Sequence, residues 1–434
     1  MSKKIAIVGA GISGLGAAWM LHESGFDVTV YEAEAFPGGH METFTLDLPA
    51  ENLLFDSYPG NLTTSHNLLA LCEMWNIPAQ KYPFGIYYDN GDKSWATYDH
   101  TSFFHQHADE CRRFTGLLTE LYEQDAAVEA TAVSFQDFLD NNGFSEKFAR
   151  HILLPLLAPM INVRYVELMA FSPASFAEVF AKDIFSFFKS TTLCRFPNGM
   201  WDLLRHFSGM LGDRIRFNSA VAKIRREEDG VTIFDSDGGR ERFDEVVLST
   251  NFRQNLQMLD QVSVMEDNIF MGVEYKDDYL LIHSDVDAMS ARFFSDDKVG
   301  CWVDTHGITN PVIPHGDAFG RRKDFMVTAY TGDDPDTLNP EKIRIKRHFL
   351  VEMITRESIL AQSNVCHIQG KNRAWYCGLS TVPGLSECCL ASGFAIAERL
   401  GARYPFSGSP GAKIVFENIK NIMFGGRPSL RLFF

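Results

Sequence analysis

Residues 4–14 read Lys-Ile-Ala-Ile-Val-Gly-Ala-Gly-Ile-Ser-Gly, an apolar run that leads into the pattern Gly-x-Gly-x-x-Gly. The run predicts a buried strand over residues 3–8, and the sequence after it predicts a helix over about 13–24. In this context the three glycines allow a tight turn, close approach of a pyrophosphate, and close packing of helix on strand. Free N–H groups at the helix start would face the phosphates. The stretch therefore predicts a dinucleotide-binding βαβ unit.

An acidic residue follows the second predicted strand, residues 27–31. Glu32 stands 23 residues after Gly9, where a carboxylate can accept hydrogen bonds from the hydroxyls of an adenosine ribose. A carboxylate at that place disfavours a 2′-phosphate on the ribose. The combination of strand, glycine turn, helix and acid favours a bound dinucleotide over a glycine turn without a ligand.

A second glycine pair lies in residues 37–43, which read Pro-Gly-Gly-His-Met-Glu-Thr. Two adjacent glycines supply bare N–H groups for a second anion-binding nest. This segment resembles the extended signature of FAD proteins of the glutathione-reductase and amine-oxidase type, in which the pair passes under the pyrophosphate. The resemblance implies FAD as the cofactor. His40 stands where these flavoproteins often have arginine, so its charge would depend on its local pKa.

The resemblance covers nearly the whole chain. Residues 214–221 resemble the segment that leads into the strand touching adenine, and it ends at Val221. Residues 373–397 resemble the C-terminal FAD motif, in which a strand is followed by a helix that opens at Gly384 and Leu385 toward the flavin pyrimidine ring. A helix N-terminus there would stabilise negative charge on the reduced flavin. The cofactor-binding residues implied in this way are Gly9, Ala10, Gly11, Ser13, Gly14, Glu32, Ala33, Gly38, Gly39, His40, Val221, Gly378, Gly384 and Leu385.

Within this type, the chain is most similar to the amine-oxidase-like FAD proteins often encoded beside cyclopropane-fatty-acid synthases. Residues 281–285, 368–370 and 375–378 carry that similarity. The chain departs from the subgroup at residues 384–388, where Gly-Leu-Ser-Glu-Cys replaces a common Gly-Phe-His-Glu-Asp. It also has Tyr58 where the family's Asp-Thr-Gly-Phe-like segment has glycine. We therefore expect the substrate and the chemistry to differ from those of the subgroup.

The chain is expected to have an α/β fold of amine-oxidase-like architecture, because nucleotide-binding patterns alternate with stretches of a different kind. A discontinuous, Rossmann-like FAD-binding domain is predicted to consist of residues 1–55, 196–255 and 355–405. An interleaved, mixed α+β substrate domain would take residues 56–195 and 256–354. Residues 406–434 remain as a C-terminal tail, whose basic and apolar residues suit a membrane surface but favour docking on its own domain.

The composition limits the partners. The chain has 434 residues and a formal charge of −16, a field that disfavours nucleic acid and anionic membranes. Its 36 phenylalanines favour a hydrophobic small-molecule substrate, because aromatic side chains line apolar pockets. The cysteines lack Cys-x-x-Cys and zinc-finger spacing, which predicts reduced thiols and no metal site. The early first strand and the absence of a long apolar run indicate a cytoplasmic protein without an export signal or spanning helix.

The expected chemistry follows from a single dinucleotide motif, since no second Gly-x-Gly-x-x-Gly follows a predicted strand. We expect an FAD-dependent oxidoreductase that takes a hydride from a hydrophobic amine, unsaturated or lipid-like substrate, with O₂ or another acceptor reoxidising the flavin. One alternative is a flavin-dependent C–C desaturase or isomerase. Another is a flavoprotein in which FAD is structural and the protein is a binding module.

Catalytic residues are weakly marked, because flavin oxidation can proceed by position and desolvation with no base. The candidates are His283, Glu387, Asp56 and Tyr58. Lone residues of these types are more often hydrogen-bonded structural groups. A thiol of the flavin-facing motif could also attach the flavin covalently, through Cys377, Cys388 or Cys389. A small buried side chain is the favoured role for all three.

Overall fold

The computed structural model describes most of the chain, namely residues 2–49, 52–57, 61–62, 65–89, 94–96, 106–123, 133–161, 163–177, 192–285, 299–303, 309–312, 325–331, 338–382 and 384–426. Tyr58, one of the candidate catalytic residues, lies outside these ranges. Within them, no helix has the length and hydropathy needed to cross a membrane.

The strands and helices are numbered in chain order. The strands are β1 (Lys4–Val8), β2 (Asp27–Tyr31), β3 (Thr43–Asp47), β4 (Asn52–Asp56), β5 (Asn61–Leu62), β6 (Gln80–Asp89), β7 (Ser94–Ala96), β8 (Thr192–Arg195), β9 (Ile215–Arg216), β10 (Val221–Glu227), β11 (Gly230–Asp235), β12 (Arg240–Phe243), β13 (Glu245–Leu248), β14 (Tyr275–His283), β15 (Val299–Val303), β16 (Thr309–Val312), β17 (Met326–Thr331), β18 (Ile343–Glu352) and β19 (Ala374–Tyr376). The α-helices are α1 (Ile12–Glu23), α2 (His66–Met74), α3 (Ala108–Glu123), α4 (Phe135–Asn141), α5 (Glu146–Phe148), α6 (Leu154–Ile161), α7 (Tyr165–Ala170), α8 (Trp201–Leu211), α9 (Phe252–Met258), α10 (Val264–Gly272), α11 (Arg356–Ser363), α12 (Ser386–Leu400) and α13 (Pro410–Phe424).

A parallel sheet forms the centre of the nucleotide-binding part. Its strand order is β19-β13-β1-β2-β9, and every neighbouring pair is parallel. Its central strands are almost wholly apolar, as expected for strands covered on both faces. Because the strands run in one direction, the segments that follow β1, β2 and β19 meet at one edge. Ligands of open α/β sheets bind outside this carboxyl edge.

The first βαβ unit confirms the prediction to within one residue at each element. The sequence of residues 373–378 predicts a strand, and the observed β19 is shorter, spanning Ala374–Tyr376. The backbone has a positive φ on both sides of it, +62° at Arg373 and +100° at Gly378, and such a conformation leaves the β region and ends the strand. The alanine-rich sequence after Leu385 predicts a helix over about 386–400, and α12 covers these residues. It packs on α1, where Trp19 lies 6.0 Å from Phe394 between ring centroids.

A larger, mixed sheet stands beside the parallel one. Its order among the described strands is β18-β14-β17-β16-β15-β6-β8-β5, with β7 paired to β6. Helices α3 to α7 accompany it and enclose an aromatic core that includes Phe114, Phe135 and Phe148, all fully buried. Many of the numerous phenylalanines therefore serve the interior of this helical part. Residues 237–239 read Asp-Gly-Gly, which predicts a hairpin turn. The structure has this turn, with a positive φ at Gly238, in a small antiparallel sheet of β10, β11 and β12.

The proposed domain boundaries stay a prediction, although the parallel sheet does draw strands from all three stretches assigned to the nucleotide-binding domain. The start of the tail packs on the rest of the chain. Helix α13 buries Phe416, Ile419 and Met423. The Phe416 ring stacks on Tyr404 with 3.8 Å between ring centroids.

Candidate functional site

The glycine loop lies between the end of β1 and the start of α1. Gly11 occupies the N-cap position with φ −70° and ψ 173°, a conformation that any residue can adopt. A Cβ added to Gly11 would meet no atom of the described chain within 4 Å beyond its own neighbours. The fold itself therefore does not require glycine here, and the open space in front of the backbone fits a group that must approach it closely, such as a pyrophosphate.

Gly14 has the opposite surroundings. A Cβ on this residue would lie 2.1 Å from the Gly9 carbonyl oxygen and 2.6 Å from Ser249 Oγ. The third glycine of the motif is therefore needed for packing of α1 against the strands, as the sequence predicts. The fold therefore requires glycine at position 14, whereas Gly11 borders open space.

The second glycine pair joins the same space. Gly38 forms a parallel bridge with Gly11, and its N–H donates to the Ala10 carbonyl at 2.9 Å. Gly39 is exposed and has φ +58°, a left-handed conformation that favours glycine. The structure thus brings the two glycine segments together. The prediction of two bare N–H groups is wrong for Gly38, whose N–H is used within the chain, and the exposed Gly39 is the member of the pair that borders open space.

Glu32 is fixed at the end of β2. Its Oε2 accepts from the Ala10 N–H at 2.7 Å, and its Oε1 accepts from the Glu34 N–H at 2.9 Å. Burial raises the pKa of this carboxyl, while these backbone hydrogen bonds and one from Ala33 act in the opposite direction. The Ser219 N–H donates to the Glu32 carbonyl at 2.8 Å, so the strand that begins at Val221 starts close to Glu32. The predicted adenosine contacts therefore lie on one side of the glycine loop.

His40 follows the glycine pair and packs against β18. Its half-buried imidazole lies edge-on to the Phe349 ring at 5.4 Å between centroids. Burial lowers the pKa of His40, so the ring is neutral at pH 7 where related flavoproteins often carry arginine. Two residues later, Glu42 accepts a hydrogen bond from Arg347 Nε at 2.9 Å, which joins this segment to β18.

The C-terminal motif meets the start of α1. A Cβ on Gly378 would lie 3.1 Å from Ser13 Oγ, and the Gly378 N–H donates to Ser392 Oγ at 2.9 Å. Gly384 has φ +129°, and Leu385 is the N-cap residue of α12, as the motif predicts. The Leu385 side chain is 43% exposed. An exposed apolar residue at a helix start beside a cofactor motif is consistent with contact to a bound group.

Asp56, a candidate catalytic residue, caps a helix. Its Oδ1 accepts from Thr43 Oγ1 at 2.6 Å and from the Met200 N–H at 2.9 Å. Thr43 Oγ1 in turn accepts from the Trp201 N–H at 3.0 Å. The two side chains thus satisfy N–H groups at the start of α8 and join it to the β3–β4 hairpin.

Glu387 caps helix α2, which is far from it in sequence. Its carboxylate accepts from the Asn67 N–H at 2.7 Å, from Asn67 Nδ2 at 2.7 Å and from the Leu68 N–H at 3.0 Å. Tyr404 donates to Asn67 Oδ1 at 2.7 Å. Burial raises the pKa of Glu387, and these hydrogen bonds oppose the rise. Glu387 therefore ties the first turn of α12 to the start of α2.

His283 is buried within β14. The Asp285 N–H donates to its Nδ1 at 3.2 Å, so its Nε2 carries the proton and donates to Thr328 Oγ1 at 2.8 Å. Burial lowers the pKa of His283 to about 4, which keeps the ring neutral. His283, Asp56 and Glu387 are thus engaged in separate hydrogen-bond groups and do not form one cluster. Their catalytic roles stay a prediction.

The thiols of the flavin-facing motif are buried. Burial raises the pKa of Cys377 to about 12 and also raises that of Cys389. Reactive cysteines have a lowered pKa, so these two have the protonated, unreactive form that suits a packing role. In the part of the chain that the structure describes, no group of His, Cys, Asp and Glu side chains could hold a metal ion.

The structure contains two buried polar features that the sequence does not predict. Lys276 pairs with Asp278 at 3.0 Å and lies 4.0 Å from Glu167, all three being buried. The charged run at 276–278 looks like a turn in the sequence but lies inside β14. Glu352 ends β18 and accepts a hydrogen bond from Ser380 Oγ. A single acid at the end of a strand that also carries Arg344, Lys346 and Arg347 gives no recognisable sequence signal.

Comparison with known proteins gives one family and a shared fold. A family model described as flavin containing amine oxidoreductase matches residues 12–263. The putative L-amino-acid oxidase YobN of Bacillus subtilis (strain 168) is 25% identical over 257 residues, which are 53% of this chain and 51% of that protein. Mitochondrial protoporphyrinogen oxidase of Nicotiana tabacum is 39% identical over 64 residues, 15% of this chain and 12% of that protein. The chain therefore matches about half or less of the length of these curated relatives.

Two solved structures resemble the whole chain. Putrescine oxidase, solved with putrescine bound, gives a TM-score of 0.69 at 15% identity and covers 93% of this chain and 100% of its own. A CLA-producing fatty acid isomerase from P. acnes gives a TM-score of 0.70 at 15% identity, and the match covers 92% of this chain and 99% of that one. At this identity the likeness concerns the fold, which confirms the predicted α/β class and architecture.

Proposed function

Because the chain belongs to the family of flavin-containing amine oxidoreductases, we propose that it oxidises a hydrophobic small molecule by hydride transfer to FAD. Family membership confirms the coarser predictions, which are FAD as the cofactor and an amine-oxidase-like oxidoreductase as the class of protein. The substrate, the electron acceptor and the cytoplasmic location are parts of the proposal.

The observation that carries the proposal is the open space in front of Gly11, bounded by Gly38 and Gly39 with Glu32 at its side. Backbone N–H groups of both glycine segments would bind the pyrophosphate, and Glu32 would accept hydrogen bonds from the ribose. The N-terminus of α12, at Leu385, would stabilise negative charge on the flavin. Bound there, FAD supplies a two-electron acceptor.

Hydride transfer also agrees with the state of the candidate bases. His283 uses both ring nitrogens, and Asp56 and Glu387 accept several hydrogen bonds as helix caps. None of the three is poised as a free general base in these contacts. Oxidation of an amine or a C–H bond at a flavin can rely on position and exclusion of water, which are contributions that a buried apolar site provides.

Phe55, Leu280 and Ile282 pack together as buried core, and the Phe349 ring joins them next to the His40 imidazole. The apolar character of the proposed substrate rests on the composition of the chain, because its 36 phenylalanines favour an apolar pocket. Both an amine with an apolar body and an unsaturated lipid satisfy this condition.

An isomerase or desaturase acting on C–C bonds is the second candidate. The fold is as similar to the P. acnes fatty acid isomerase as to putrescine oxidase. In an isomerase the hydride would return to the substrate, so no acceptor is needed. A binding module with structural FAD is the remaining alternative.

Anaerobic mixing of the FAD-loaded protein with two substrate panels tests the proposal. One panel holds hydrophobic primary amines and the other holds unsaturated fatty acids, while the visible flavin absorbance is followed and the products are analysed. Bleaching by an amine supports the oxidase. A shifted double bond without net flavin reduction supports the isomerase. No reaction with either panel contradicts the proposal and favours structural FAD.

A further inference from the structure

Glu352 combines deep burial with an incomplete set of partners. The residue is 8% exposed, and its Oε1 accepts from Ser380 Oγ. Its Oε2 is buried and has no hydrogen-bond partner in the described part of the chain. A charged carboxylate with an unsatisfied oxygen is unfavourable in such surroundings. Ser380 belongs to the loop that leads from Gly378 toward Gly384 and the start of α12, which the proposed function places at the flavin.

A chain of hydroxyl groups ends at this carboxyl. The Phe252 N–H donates to the Tyr275 hydroxyl at 3.0 Å, and that hydroxyl lies 3.1 Å from Ser380 Oγ. Since the Ser380 hydrogen is donated to Glu352, the Tyr275 hydrogen is donated to Ser380. Both hydroxyl hydrogens of this hydrogen-bonded series are thus donated to the next group, so a proton that binds Glu352 would bind Oε2. The charge of Glu352 therefore acts directly on the position of Ser380.

The two titratable side chains that face Glu352, those of Tyr275 and Cys389, are uncharged at neutral pH. Tyr275 faces it from β14 and Cys389 from α12, and burial together with the nearby carboxylate raises the pKa of both. Arg253 lies over the Tyr275 ring at 4.9 Å, and Glu387 on α12 points to α2. No opposite charge among these groups pairs with Glu352, and burial raises its pKa to about 7.

We infer that Glu352 is a positioning residue that takes up a proton when the flavin is reduced, through its contact with the flavin-facing loop at Ser380. The inference rests on the proposed function, because it requires a redox-active FAD. A hydride brings two electrons and one proton to the flavin and leaves it with one negative charge. One proton from solvent then converts the Glu352 carboxylate to the acid, and no bond to carbon changes at this residue. The uptake avoids two like charges in a buried site.

The test is the reduction potential of the FAD-loaded protein as a function of pH, for wild type, Glu352→Gln and Glu352→Asp. Wild type takes up one proton per two electrons below neutrality. We expect its potential to fall more steeply from about pH 7 upward, since a second proton is then taken up. Glu352→Gln has a single slope, and Glu352→Asp keeps a steeper segment at a shifted pH. A single slope in wild type, or a steeper segment that survives in Glu352→Gln, overturns the inference.

A second measurement needs no variant. Infrared difference spectra of wild type, reduced minus oxidised, should gain the carbonyl band of a protonated carboxylic acid above neutral pH and lack it in acid. Its absence above neutral pH contradicts the inference. Dithionite supplies the electrons in both experiments, so they do not depend on a substrate. Proton uptake without substrate oxidation refutes the proposed function alone, and substrate oxidation without proton uptake refutes this inference alone.

Discussion

Replacing Gly11 by valine should remove FAD while leaving the fold intact. A Cβ at Gly11 meets open space, and the backbone there has an ordinary φ of −70°. Loss of the glycine N-cap destabilises the fold by about 1 kcal/mol. The lower conformational entropy of the unfolded valine variant stabilises it by about the same amount, so the free energy of unfolding should change little. The side chain would fill the space of the pyrophosphate. Loss of two hydrogen bonds to it, about 1.5 kcal/mol each, weakens FAD binding by about 3 kcal/mol, or more than 100-fold.

Gly14→Ala is the matched control. Its Cβ would lie 2.1 Å from the Gly9 carbonyl oxygen, so strand and helix must move apart at a cost of about 3 kcal/mol. The assay measures the flavin content of each purified variant and its midpoint in urea, with the FAD-free wild type as reference. Folded Gly11→Val protein with one FAD per chain would refute the assignment of this space to the pyrophosphate. Equal destabilisation by both substitutions would refute the division of roles between the two glycines.

Three further predictions concern Gly384, Asp56 and Glu352. Gly384→Val should retain FAD but lower its reduction potential by a few tens of millivolts, which corresponds to about 1–2 kcal/mol for one lost N–H contact. Spectroelectrochemical titration measures this potential, and an unchanged value would mean that α12 does not face the flavin. Asp56→Ala should lower the free energy of unfolding, measured by urea titration, by about 2 kcal/mol through loss of the cap on α8. Impaired flavin reduction at unchanged stability would instead support a catalytic role for Asp56. Burial raises the pKa of Glu352 from 4.5 to about 7, so Glu352 ionises in the unfolded state at a lower pH than in the folded state. The free energy of unfolding of wild type should therefore fall by about 3 kcal/mol as the pH rises from 4.5 to about 7. Glu352→Gln should lack this loss in pH-dependent unfolding, and an identical pH profile for both proteins would contradict the raised pKa.

The nucleotide-binding part was predictable because its signals are local. The glycine pattern, the apolar strands and the acid at the end of β2 each lie within a few residues of the chain. Such patterns fix a turn, a buried strand or a helix start without knowledge of distant partners. The bounds of α12 were predictable for the same reason, since an alanine-rich helix begins directly after Leu385.

The roles of the acidic residues were not predictable, because their partners are distant in sequence. Glu387 caps helix α2 through Asn67, which lies 320 residues earlier in the chain. Asp56 accepts from Met200, 144 residues later. A carboxyl group in a sequence looks the same whether it caps a helix, pairs with a cation or moves a proton. The distinction depends on tertiary packing, which also creates the burial of Glu352.

Photoreduction of the purified protein followed by mixing with air tests the central claim, a redox-active FAD in the site at Gly11 and Glu32, most directly. The visible absorbance of the flavin and the identity of the cofactor released on denaturation are recorded together. The account predicts that FAD is released, that light bleaches the bound flavin, and that air restores its absorbance rapidly. Release of another nucleotide, or a bound FAD that light cannot reduce, would contradict it.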